Sequence, residues 1–142
     1  MTAKKRLLGV DFGMKRTGLA LTDENNIIAS GWKTVPTKEV MTVIVQAVEE
    51  KNIGTIVLGD PKRLDMSDSH SSQNVRLFQE ALEKQFPSIQ VVLVDERFTS
   101  KMALDSLISS GVSKKKRQNK ALIDEVSATI ILQSYMDAQG FL

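Results

Sequence analysis

The strongest constraint on the fold is a change of pattern at Pro36. Three short apolar runs joined by turn residues come before it. Leu7 to Phe12 is apolar, suits a strand and is stopped by Gly13. Gly18 to Thr22 reads as a second strand after the turn Met14-Lys15-Arg16-Thr17. Ile27 to Val35 reads as a third, with Asp23-Glu24-Asn25-Asn26 turning the chain. Connectors this short pair strands as an antiparallel meander, because a parallel pair needs a long crossover. After Pro36 the period becomes helical at Val40, Val43, Ile44, Ala47 and Val48, with Thr37 available as a cap. A short strand, Thr55 to Gly59, is entered through Gly54. Asp60 to Ser72 is polar without a period and reads as a loop. Val75, Phe78, Leu82 and Phe86 mark a second helix, ended by Pro87. Ile89 to Val94 is an almost unbroken apolar run, as in a strand buried on both faces. Ser100 to Ser109 forms a short helix stopped by Gly111, and a last helix runs from Lys120 to Asp137. The order β-β-β-α-β-α-β-α-α predicts an α/β fold. Its mixed five-stranded sheet has a three-stranded antiparallel meander, two parallel strands and helices packed on it. No repeat or linker interrupts the pattern, and 142 residues fit one domain over 1–142.

Composition narrows the chemistry. The chain has no Cys and a single His. Disulfides, a Cys nucleophile and thiolate metal sites are excluded, as is any two-His or three-His metal site within one chain. A metal held by this protein must lean on carboxylates, which favours Mg²⁺ or Mn²⁺ over zinc. The net charge of +2 conceals a local excess. Residues 1–100 carry 13 basic and 13 acidic side chains, whereas five of the six basic residues beyond them lie between Lys114 and Lys120. Such a segment attracts polyanions if it is not simply a solvated loop. The apolar stretch after the basic N-terminus is too short for a signal-peptide core, and no segment nears the roughly 20 residues that span a bilayer. A cytoplasmic protein is expected.

Acidic residues in awkward places carry the chemistry. Asp11 interrupts an apolar strand near its end, and Asp95 and Glu96 directly follow another. Ligand sites in open α/β sheets gather at the carboxyl ends of strands. Asp124 shares a helical face with Ala128, Ile131 and Tyr135, where a carboxylate is costly unless paired or bound to a cation. Glu125, about 100° away, is better placed to be solvated. Each acid also has an ordinary reading. Asp11 can be a turn residue, Asp95 and Glu96 can pair with Arg97, and Asp124 can favour the helix dipole. Together, three carboxylates from two strand ends and a helix can chelate Mg²⁺, and two ions about 3.5–4 Å apart would suit phosphodiester hydrolysis. Gly13 and Gly18 flank a turn carrying Lys15 and Arg16, which could hold a phosphate. His70 lies in Asp68-Ser-His-Ser-Ser72, but no Gly-x-Ser-x-Gly elbow accompanies it, so a Ser–His–Asp hydrolase is disfavoured. The few aromatics, Trp32 among them, fall mostly at core positions. Recognition of a nucleic acid would then run through backbone and shape.

These pieces resemble the YqgF family, also called RuvX, which is assigned to Holliday-junction resolution and pre-16S ribosomal RNA cleavage. Leu8-Gly-Val-Asp-Phe-Gly-Met-Lys-Arg-Thr-Gly-Leu-Ala is similar to the family's opening motif. Val57-Leu-Gly-Asp-Pro matches its central strand and Gly-x-Pro loop. Asp95-Glu-Arg-Phe-Thr-Ser100 with Ala103 resembles its most distinctive motif. Asp124, Ala128 and Ile130-Ile-Leu-Gln match the last helix. The chain departs from the pattern at Leu64-Asp-Met-Ser67, where the family often has a glycine, and Asp60 is unusual for its slot.

The resemblance implies a ribonuclease H-like fold and a metal-dependent nuclease, with Asp11, Glu96 and Asp124 as catalytic residues and metal ligands. Water would attack phosphorus in line, leaving a 5′-phosphate and a 3′-hydroxyl. Lys15, Arg16, Arg97, Lys114, Lys115, Lys116, Arg117 and Lys120 would bind the nucleic-acid backbone. The implied task is maturation of the 5′ end of pre-16S ribosomal RNA, by a monomer or a homodimer. Branched DNA is the alternative substrate, and its symmetric cleavage would require a homodimer. A non-catalytic RNA-binding or transcription-associated module is a third reading. An actin-like ATPase shares the Asp-x-Gly hairpin but needs two such domains, and this chain supplies one.

Overall fold

The computed structural model describes residues 5–60, 70–95, 109, 111 and 119–139. Strands β1 (Arg6–Phe12), β2 (Arg16–Thr22) and β3 (Ala29–Pro36) form the expected meander. A single 3-10 turn (Thr37–Glu39) leads into α1 (Val40–Lys51), followed by β4 (Ile53–Asp60). Helix α2 (His70–Gln85), β5 (Gln90–Asp95) and α3 (Lys120–Ala138) complete the described elements. The sheet order is β3-β2-β1-β4-β5, with β4 parallel to both β1 and β5.

Alternation along the strands builds two cores. Leu8, Val10, Leu19, Leu21, Ile56 and Leu58 face α1 and α2, meeting Ile44, Val75, Phe78 and Leu82. Leu7, Ala20 and Val57 face α3, meeting Ala128, Ile131, Leu132 and Met136. Each large side chain buried there contributes about 1.5–3 kcal/mol. Close approach of α3 depends on missing side chains. A Cβ on Gly9 would stand 2.8 Å from the Ala128 carbonyl oxygen, and one on Gly18 would overlap the Asp124 carbonyl.

Several local expectations are corrected. Ile27 and Ile28, expected at the start of the third strand, lie in the connector and are 53% and 61% exposed. The Asp23 carboxylate accepts from the amides of Ile27 (2.6 Å), Ile28 (2.8 Å) and Asn25 (3.2 Å), so a side chain organises the loop and delays pairing until Ala29. Thr37 does not cap a helix. Its hydroxyl donates to the Gly13 carbonyl (2.6 Å), tying the start of α1 to the β1–β2 turn. The polar segment from 60 to 72 is not all loop: Asp60 ends β4 and His70 begins α2, while 61–69 lie outside the described residues. The β5 run is half-buried, not buried on both faces, because β5 is the last strand of the described sheet. The expected helix over 100–109 falls almost wholly outside the described residues.

Gly18→Ala should force α3 off β2 and lower stability by about 1–3 kcal/mol in denaturant unfolding. An unchanged midpoint would refute the close approach. The Ile28 amide, with those of Ile27 and Asn25, holds the Asp23 carboxyl below the usual carboxylate range. A lowered carboxyl stabilises the folded hairpin above the unfolded value and loses that effect as pH falls through the folded value. Exchange protection of the Ile27 and Ile28 amides should therefore drop below about pH 4, and Asp23→Asn should remove that pH dependence.

Candidate active site

β1, β4 and β5 run parallel, so Phe12, Asp60 and Asp95 finish at one edge of the sheet. Asp11 stands opposite Gly18 in the β1–β2 register. Leu7 and Gly9 face α3, and alternation puts Asp11 on that same face. Asp124 rides over Gly18 from the first turns of α3. Two aspartates 113 positions apart in the chain thus both adjoin one glycine. Asn119 starts that helix: its side-chain oxygen accepts from the Ala121 (3.0 Å) and Leu122 (3.4 Å) amides.

Arg16, on the same face of β2, joins them. Its Nε donates to Asp124 Oδ2 at 2.7 Å, with the Asp124 side chain 18% exposed and that of Arg16 40% exposed. Burial on the α3 face makes an unpaired Asp124 carboxylate costly, and the guanidinium offsets that cost. The turn that delivers Arg16 is pinned from two sides. The Gly13 amide donates to the Arg16 carbonyl (3.0 Å), and the Thr37 amide donates to the Lys15 carbonyl (2.9 Å). The Thr37 and Thr17 hydroxyls are 2.9 Å apart. Lys15 is left exposed at the tip.

The structure therefore brings together Asp11, Asp124 and Arg16, with Lys15 at the adjoining turn. Lys120 is exposed as the first residue of α3, one turn before Asp124. Glu96, Arg97, Lys114, Lys115, Lys116 and Arg117 lie outside the described residues. Glu96 is covalently next to Asp95, the last residue of β5. Sequence reasoning missed the Arg16–Asp124 pair, for which nothing local gives a signal, and it missed Thr37 as the clamp on the turn. It also missed a second acid pair on the opposite face. Asp60, 3% exposed, is registered beside Asp95 and has Arg76 Nη2 at 4.0 Å. The unusual Asp60 is thus a buried acid facing a cation of α2.

A carboxylate set of this kind suits a hard cation, and one observation supports the fit: Asp124 already holds a cationic group against its Oδ2. A second is the buried Ser127 hydroxyl, three residues on along α3, which has no hydrogen-bond partner among the described residues. Among the described residues no group of three or more Asp, Glu, His or Cys side chains is gathered. Asp11 and Asp124 could offer two donors to such a cation, with any further donor from beyond the described residues.

A family model described as RuvX, Holliday junction resolvase, matches residues 5–138. A protein of Phocaeicola vulgatus is 45% identical over 137 residues, covering 96% of this chain and 99% of its own length. One of Porphyromonas gingivalis is 47% identical over 132 residues, covering 93% and 96%. Both carry the provisional name pre-16S rRNA nuclease. Among solved structures, Thermus thermophilus RuvC in complex with a Holliday junction substrate aligns at a TM-score of 0.57 and 12% identity, over 96% of this chain and 97% of that one. The yeast mitochondrial Holliday junction resolvase Ydc2 aligns at 0.56 and 11% identity, over 99% and 81%. Those two likenesses are of fold, and it is the ribonuclease H-like fold of RuvC-type resolvases. By the family match and the identity to its relatives, this chain belongs to the RuvX family.

Proposed function

We propose that this chain is a divalent-metal-dependent nuclease that trims the 5′ side of pre-16S ribosomal RNA, working in the cytoplasm as one domain over 1–142. The observation that carries the reading is that Asp11 and Asp124 both adjoin Gly18 at the carboxyl edge of the sheet. Hydrolysis of nucleic-acid phosphodiesters is what the names of its relatives describe. Among the described residues no helix is long and apolar enough to cross a membrane.

Asp11, Glu96 and Asp124 would hold Mg²⁺ or Mn²⁺. Such ions, when bound, activate the attacking water and stabilise the leaving oxygen. The chain's own groups orient the strand. Lys15 at the pinned turn would contact a backbone phosphate, as would Lys120 and the basic segment Lys114, Lys115, Lys116 and Arg117, with Arg97 beside Glu96. Arg16 holds the Asp124 carboxylate in place through its 2.7 Å contact to Oδ2. A second reading, cleavage of branched DNA by a homodimer, rests on the description of the family model.

The deciding experiment incubates the protein with precursor 16S RNA and with a four-way DNA junction, in Mg²⁺, Mn²⁺ or chelator. RNA should be cut only with metal, and Asp11→Asn and Asp124→Asn should each lower the rate by at least about 100-fold. Wild-type activity in Asp11→Asn would sink the assignment, and cutting of the junction alone would favour the second reading. Arg16→Gln should destabilise the metal-free fold by up to about 1 kcal/mol. Mg²⁺ should raise the melting temperature of that variant more than that of the wild type, and an equal shift would mean that Arg16 and the metal do not share Asp124.

A further inference from the structure

A second feature lies on the α1 side of the sheet, opposite the face that carries Asp11, in a pocket that reaches Arg6 at the start of β1. Trp32 is the only tryptophan of the chain. It sits where the β2–β3 register shifts: Leu19 faces Lys33 and Ala20 faces Gly31, leaving Trp32 as the extra residue. Bulges re-aim side chains, and this one brings two neighbours together. The Lys33 ammonium lies 4.3 Å from the Trp32 ring centroid, and that of Lys51, from the end of α1, lies 5.4 Å away. One part of the indole packs on the core; the rest borders a pocket of about 400 Å³, lined also by Arg6, Thr22, Asp23, Ile28 and Lys51.

The charges of this pocket do not balance. Arg6 donates from Nε to the Thr22 carbonyl (2.9 Å) and makes no ion pair with a described residue. Lys33 and Lys51 have the Trp32 ring and, among the described residues, no carboxylate. Among the described residues the acid lining the pocket is Asp23, which spends its carboxylate on the backbone amides of its own loop. Two cations over an aromatic ring and a third beside it in the pocket call for an anion that also carries a flat apolar group. A nucleotide is that ligand. Its phosphate would draw the lysine ammoniums off the ring, and its base would take their place against the indole.

We infer that the Trp32 pocket is an exosite for an unpaired nucleotide of the substrate strand, with the base on Trp32 and the phosphates on Arg6, Lys33 and Lys51. The inference uses the nucleic-acid reading above only for the source of the strand. An enzyme so built holds its substrate at a second point away from the acids and positions the strand relative to them. No side chain of the acidic site takes part.

The sole tryptophan is its own probe. Asp11→Asn protein, chosen so that the ligand is not cut, is titrated with single-stranded oligoadenylate of roughly ten nucleotides. Trp32 emission should be quenched saturably. Each of Arg6→Gln, Lys33→Gln and Lys51→Gln should reduce the salt slope of binding by about one. Trp32→Leu, followed by anisotropy of labelled oligonucleotide, should weaken binding about tenfold. Circular dichroism checks that each variant is folded. The inference is overturned if heparin or an abasic strand quenches as strongly, since the patch is then merely cationic. It is also overturned if adenosine monophosphate binds as tightly as the strand, or if Trp32→Leu binds like wild type. Quenching by the strand with no cleavage of any substrate by wild-type protein would discard the nuclease reading and leave the exosite standing.

Discussion

Where β1 and β2 carry Gly9 and Gly18, the backbone of α3 comes into contact with the backbone of the sheet. A side chain at either glycine would hold the helix away, and the consequences would spread. Ile131, Leu132 and Met136 would lose the partners that bury them. Asp124 would leave the space beside Asp11, and Arg16 would lose the carboxylate it holds at 2.7 Å. The acidic site thus depends on backbone packing: the seating of the helix places a carboxylate of its first turns at the carboxyl edge of the sheet.

Much of this was legible in the sequence, for local reasons. The three-stranded meander follows from short connectors between apolar runs, and the α3 stripe from its period. An acid at the end of an apolar strand is visible as a break in pattern, so Asp11 stood out without a structure. The Arg16–Asp124 pair did not, because 108 positions separate the partners and no local signal couples them. Thr37 was misread for a related reason: the residue suits a helix cap, but a turn 24 positions upstream claims its hydroxyl. Ile27 and Ile28 look like strand, yet Asp23 pulls their amides into a loop. In each case a side chain overrode a local propensity by reaching another part of the chain.

The two sites differ in electrostatic character. At the carboxyl edge, acids converge and a guanidinium offsets one of them. Around Trp32, cations converge on an aromatic ring, and among the described residues none of them pairs with an acid. A net charge of +2 conceals both groupings. On the proposed reading, a polyanion would meet the first site only with a cation between, whereas the second would receive it directly.

The central claim is that Asp11 and Asp124 share one hard-cation site beside Gly18. Paramagnetic broadening by substoichiometric Mn²⁺, read on the backbone amides by nuclear magnetic resonance, tests it most directly. The account predicts that amides around Asp11, Gly18 and Asp124 vanish first and together, with those of the Glu49–Glu50 surface unaffected. Broadening spread over the exposed acids, or confined to one of the two aspartates, would contradict it.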